Sequence, residues 1–434
     1  MKKKRSLFLL LSGITVYLVF MTGCVKQPDD VSGPQTGGQD GGNGFDYATV
    51  TNVKLDVDYS MKGNKALFEV FAENPVASRD GLLVRKEGVS SLLKAYTDEN
   101  CRYSGVLNLP TATEKVYLYS ETYGLPTCIE ADVLSNGISF NLLDYYRKML
   151  ERQSGKSSEI QSLSTRAASA NNPYNIQTLG KWTLSGQPLY MLGTMHGSFI
   201  EPDYATTPSG LMNRIQNILL PGTDNSKYAK SSEVVNLQVK QDAHLKLVFA
   251  AEMAAWHNAI GYYYYDTQNP PETQADIDNL TKYIAFPNCS SFTTNFDDLE
   301  DFNSPSNDGK AALLFGEQIQ LKYFKEGKAT DLFPAGTTVG WFMLPDAYDI
   351  SYPTNTSSLD LTGSKHPIRY SNNEFNAGKE PSIVSLYDEV SGKTVLGFED
   401  GGDNDYKDVL FYVDADPADA VYDPERPTTD PDEN

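Results

Sequence analysis

Short segments in which apolar and polar residues alternate recur along this chain, and that period suits strands with one buried face. Val53-Lys54-Leu55-Asp56-Val57-Asp58-Tyr59 is the clearest, and residues 66–71, 105–109, 116–120 and 129–133 behave similarly. Turn signals such as Lys62-Gly63-Asn64 and Thr97-Asp98-Glu99-Asn100 separate them. Several short strands at this spacing predict a β-sandwich over residues 45–142. A second sandwich is expected over 227–420, with strands at 245–250, 261–265, 339–344, 383–387, 394–398 and 409–413. The stretch 143–226 reads as a linker: a short helix entering a Ser-rich segment at 147–172, a strand or two at 182–192, and an amphipathic helix at 211–220 that stops at Pro221-Gly222. The expected fold is mainly β: two β-sandwich domains, a partly helical linker, and disordered ends. Asp and Pro dominate residues 421–434, which read as a disordered acidic tail.

The first residues follow the order of a secretory signal. Lys2, Lys3, Lys4 and Arg5 precede an apolar run at 7–20, and Thr22 and Gly23 lead into Cys24. The run is short for a membrane span, which needs roughly 20 apolar residues. Met21-Thr22-Gly23-Cys24 resembles a bacterial lipobox, which implies a signal peptide at 1–23 and lipid attachment on Cys24. Residues 24–44, rich in Gly, Gln, Asp and Pro, read as a flexible tether. Asp29-Asp30 resembles the surface-export signals of Bacteroidetes lipoproteins, which implies the outer membrane and its outer face, with the periplasmic face as the alternative.

The formal net charge is −21, and removal of the four signal cations leaves about −25. A field of that sign disfavours nucleic acid as a partner and suits divalent cations. Beyond Cys24 there are three cysteines, Cys101, Cys128 and Cys289. An odd number rules out a disulfide scaffold and leaves a Cys101–Cys128 bridge open. His196, His244, His257 and His366 are scattered without an H-E-x-x-H pattern, so a zinc site is not expected. No G-x-S-x-G elbow or glycine-rich phosphate loop occurs. Tyr262, Tyr263, Tyr264 and Tyr265 alternate faces on a strand, so at most two rings can share a side, and packing explains them better than a sugar platform.

The most informative segment is residues 397–413, GFEDGGDNDYKDVLFYV. Glu399, Asp400, Asp403, Asp405 and Asp408 place five carboxylates within ten residues, with Gly401-Gly402 as a hinge and Lys407 the one nearby cation. Such acids repel one another unless they lie in water as a solvated turn or share a cation. Their density favours the cation. Calcium accepts about six to eight oxygen ligands and is the expected ion, with a structural role. No EF-hand pattern is present.

This segment resembles the C-terminal signature of a domain of unknown function found in LruC-type surface lipoproteins. Residues 249–265, FAAEMAAWHNAIGYYYY, and 334–344, PAGTTVGWFML, resemble two further segments of it. The resemblance implies that Glu252 meets the acidic loop, and Lys407 stands where that family more often has Asn. Residues 95–110, AYTDENCRYSGVLNLP, resemble the hairpin of transthyretin-like, carboxypeptidase-regulatory-type domains, with Cys101 where glycine is usual. Such domains serve as spacers or binding modules. Two functions stay open. One is a calcium-stabilised binding or adhesion module for a glycan or a host or matrix ligand. The other is a carboxylate-based glycan-acting hydrolase using the same acids.

Overall fold

The computed structural model describes residues 50–79, 82–145, 172–182, 188–191, 194–195, 205, 207–290, 313–351 and 356–430. The signal, the tether with Cys24 and the helix expected within 147–172 lie outside them. The fold is mainly β. No helix among the described residues is long and apolar enough to cross a membrane.

In the N-terminal region, strand Val50–Asp58 runs antiparallel to Arg102–Pro110 and parallel to Ile138–Asn141. A second sheet orders Leu93–Tyr96, Leu67–Phe71, Lys115–Ser120 and Cys128–Asp132. Val53, Leu55, Val57 and Tyr59 turn inward and are buried, while Lys54 stays in water. The sheets meet through aromatic edges, with Phe68 5.2 Å from Tyr103 and 6.2 Å from Tyr59 between ring centres. Cys101 and Cys128 are both buried and both free thiols. Cys101 has φ +58°, the left-handed region that favours glycine.

The C-terminal sandwich faces two larger sheets. One orders Ile176–Thr178, Lys282–Phe286, Ala259–Asp266, Thr337–Leu344 and Leu237–Val239. The other orders Gln318–Gln320, Ala243–Glu252, Val409–Asp416, Lys393–Phe398 and Ile383–Asp388. Phe286 from the first packs on Phe411 from the second at 5.0 Å. Ile176–Thr178 pairs in parallel with Lys282–Phe286, so this sandwich draws an edge strand from the stretch read as linker. Tyr262 and Tyr263 are fully buried, and Tyr264 stacks on Tyr283.

Two parts depart from the sequence-based expectation. The helix Leu211–Ile218 is a packed wedge instead of a linker element. Its buried side chains Leu211, Met212, Ile215 and Ile218 join one apolar cluster that contains Val57 and Phe68 from the N-terminal region and Val248, Leu386 and Leu410 from the C-terminal sandwich. Asn213 exchanges two hydrogen bonds with the Lys65 backbone, and Tyr123 donates its hydroxyl to the Leu219 carbonyl at 2.6 Å. On the other side, Arg214 grips Asp388 with two nitrogens, at 2.6 and 2.8 Å.

The tail also corrects the expectation of disorder. Residues 421–430 are ordered because Arg426, 3 % exposed, donates to the carbonyls of Val234, Asn236 and Val421. Tyr387 N–H donates to the Pro427 carbonyl at 2.7 Å, and Thr429 N–H returns a bond to Tyr387. A low apolar content argues against a core of its own, yet an anchored guanidinium, the Thr429 hydroxyl on Asp388 and a neighbour's backbone hold the tail in place.

Candidate metal centre

Strands Lys393–Phe398 and Val409–Asp416 pair from Thr394↔Val413 to Phe398↔Val409, and the acidic loop closes that hairpin. Both flanks are apolar and buried, so the loop begins and ends inside the protein. Glu399, Asp400, Asp405 and Asp408 are accordingly 2, 7, 0 and 7 % exposed, which is not the environment of a solvated turn. Asp403 alone is exposed.

The hinge differs from expectation. Gly401 and Gly402 have ordinary φ, and the left-handed positions are Asn404 at +60° and Tyr406 at +55°. Asn tolerates that region, whereas a bulky Tyr there is an outlier, and such strain persists where the surroundings over-determine it. Here Tyr406 is buried, and its N–H points to Glu399 Oε2 at 3.3 Å.

Hydrogen bonds turn the carboxylates inward. Gly401 N–H donates to Glu399 Oε1 at 3.0 Å, and Asp400 N–H donates to Asp408 Oδ2 at 2.6 Å. Asn258 Nδ2 donates to Asp400 Oδ2 at 2.6 Å. Two trios of carboxylate oxygens result, each within 4.8 Å: Glu399 with Asp400 and Asp408, and Glu399 with Asp403 and Asp405. Lys407 lies 2.7 Å from Asp405 Oδ2, which also accepts Gly222 N–H at 3.1 Å. Burial works against the Lys407 charge, and Asp405 outweighs it. Glu252 is buried, pairs in register with Val409 and accepts Ala254 N–H at 2.9 Å; it belongs to neither trio.

Among the described residues no cation forms an ion pair with the first trio, and Lys407 only draws Asp408 down from a distance. Burial, reinforced by Asp408, Asp403 and Asp405, pushes the Glu399 carboxyl up to about 8. Burial raises Asp400 to about 6 despite the Asn258 bond, with Glu399 and Glu252 adding repulsion. Asp408 rises well above the usual range, by burial and then by Asp400. Three convergent, desolvated, oxygen-only donors fit a hard cation, since hard ions take carboxylate oxygen and soft ones prefer sulfur.

Residues that sequence reasoning passed over complete the frame. Asn258 comes from the turn after Ala243–Glu252, inside a segment already singled out at 249–265. Arg369 Nη2 donates to the Asp400 and Gly401 carbonyls at 2.9 and 3.1 Å, and nothing local marked it. Asn225 Nδ2 holds the Asp405 carbonyl at 3.0 Å.

Gly397 sits directly beneath the loop. A Cβ there would lie 2.5 Å from the Tyr406 carbonyl oxygen and 3.0 Å from Val384. Gly397→Ala is therefore expected to destabilise the chain by about 1–3 kcal/mol, the usual cost of overpacking. Denaturant unfolding checks this, and Gly402→Ala, where nothing lies within 4 Å, is the neutral control.

Two domain families match the chain. Residues 51–142, the N-terminal region, match a domain of unknown function, DUF8469, and residues 333–416, which include the whole acidic loop, match another, DUF4114. No curated protein and no solved structure matches it.

Proposed function

We propose that this is a lipid-anchored surface protein whose C-terminal sandwich is stabilised by calcium and works as a binding or adhesion module. The observation that carries the reading is the first trio: Glu399, Asp400 and Asp408, each less than a tenth exposed, bring carboxylate oxygens within 4.8 Å of one another, with no ion pair to a Lys or Arg among the described residues. Isolated buried carboxylates are costly unless protonated or paired with a cation. Asp403 and Asp405 form the weaker half of the centre, because Lys407 already neutralises Asp405, and Glu252 supports it from outside. The ion, when bound, supplies structure and charge balance.

The likeness of residues 397–413 to the LruC-type domain supports a surface role. The left-handed Cys101, at a position where transthyretin-like hairpins use glycine, supports a spacer role for the N-terminal sandwich. The lipobox-like segment before Cys24 supports attachment to the outer membrane. A hydrolase fits these acids less well, since a proton donor must touch the glycosidic oxygen and these carboxyls lie inside the protein.

Titration calorimetry of the chelator-treated chain tests the reading. Calcium is expected to bind one ion per chain in exchange for protons, magnesium more weakly, and Glu399→Gln to lose calcium binding. Absence of calcium binding by the wild-type chain would refute the metal centre.

A further inference from the structure

The ordered tail builds something the metal centre does not use. Between it, the end of strand Ile383–Asp388 and residues 227–230 lies a cleft of about 550 Å³, within the size of small-ligand sites, roughly 300–1,000 Å³. Tyr387 and Tyr422 form one corner, ring centres 4.9 Å apart at 68°, and Tyr422 is 38 % exposed. Lys227, Lys230, Glu389 and Asp423 are among the other lining residues.

The corner is held rigidly. Tyr422 N–H donates to the Asp419 carbonyl, and its own carbonyl accepts Lys240 Nζ at 2.6 Å. Arg426 anchors the next turn through the carbonyls of Val234, Asn236 and Val421 and the Thr394 hydroxyl. The bond from Tyr387 to Pro427 fixes the opposite side. A preformed site avoids the ordering cost that a loose tail would incur on binding.

The chemistry of the lining narrows the ligand. Lys227, Lys230 and Arg426 are matched in number by Glu389, Asp423 and Glu425 in the lining, so the cleft has no strong net charge in an otherwise anionic protein. That disfavours nucleotides and other polyanions. Ring faces beside both donors and acceptors suit a molecule with an apolar C–H face and hydroxyls around its edge. We propose that this cleft binds a neutral carbohydrate, one sugar ring stacking on Tyr422 with its hydroxyls bridging Lys227 or Lys230 and Glu389 or Asp423. The proposal rests on the binding-module reading and names its ligand class and its site.

Native affinity electrophoresis of the full chain in calcium tests it, using gels cast with a mixed-linkage β-glucan, a xylan or a galactomannan. At least one polymer is expected to retard the wild type. Tyr422→Ala should weaken that retardation about tenfold, as loss of one stacking contact predicts, and Tyr422→Phe should keep it. Because Tyr422 is exposed, the variant's melting temperature should stay at the wild-type value. Equal retardation of wild type and Tyr422→Ala would overturn the cleft while leaving a binding module intact. No retardation by any of the three polymers would overturn the carbohydrate assignment, and a calcium response persisting in that sample would leave the metal centre standing.

Discussion

Millimolar calcium is expected to raise the melting temperature of residues 45–434 by several degrees over its value in EDTA, and Glu399→Gln to remove most of that gain. A ligand that binds only the folded state adds about 2.7 kcal/mol at a hundredfold excess over its dissociation constant. For a domain of this size each kcal/mol moves the midpoint by about 2–4 °C. The effect should depend on pH in a defined sense. Without a cation, Glu399 titrates near 8 in the folded chain against an ordinary 4.5, so the folded state holds a proton that the unfolded state releases. Stability in EDTA should therefore fall as pH rises from about 4.5 to about 8. Calcium favours the carboxylate, so its gain should be largest at pH 8 and small near pH 5. Glu399→Gln carries no charge to desolvate and should melt above the wild type in EDTA at pH 8. A wild-type melting temperature indifferent to pH and calcium alike would sink the metal centre. Full calcium gain in the variant would remove Glu399 from it.

Asp388→Ala should cost about 3–5 kcal/mol, the usual result of stripping one partner from a buried ion pair. Asp388 is fully buried and accepts both Arg214 nitrogens, the Thr429 hydroxyl at 2.6 Å and Ser391 N–H at 3.0 Å. Burial alone would raise its pKa; Arg214, Ser391 and Thr429 bring it below the ordinary value. Its stabilisation is thus present above about pH 4 and is lost as pH falls through the folded pKa. Urea unfolding of Asp388→Ala, Arg214→Met and the double variant gives the coupling between them. The double variant should be less destabilised than the sum of the singles, because neither charge is left unpaired. Additive losses would show that the two residues act separately.

Most of the strands were legible in the sequence, because alternation is local and a strand carries its own signature. The wedge helix was legible for the same reason, from Leu211, Ile215 and Ile218 and the Pro221-Gly222 stop. The cluster of acids was visible, and so was the disturbance from Lys407. What holds the cluster was not. Asn258 reaches Asp400 across 142 positions, and Arg369 serves two carbonyls that any sequence would offer. The turn itself was misassigned: glycine permits a left-handed backbone without requiring it, and the strained positions are Asn404 and Tyr406. The tail was misread because composition measures the capacity for an independent core, and residues 421–430 borrow one. Arg426 and Thr429 act through Val234, Asn236 and Asp388, none of them near in sequence.

The wedge helix has a mechanical meaning. Modules strung on a flexible linker yield to a pull one after another, each absorbing extension as it opens. Leu211–Ile218 instead bonds to Lys65 and Tyr123 on one flank and to Asp388 on the other, within one apolar cluster. Under the proposed anchoring at Cys24 and binding by the C-terminal sandwich, tension between the two ends would pass through that shared interior. Such a chain is stiff up to a threshold and then fails in one event, a brittle strut where beads on a string would give an elastic tether.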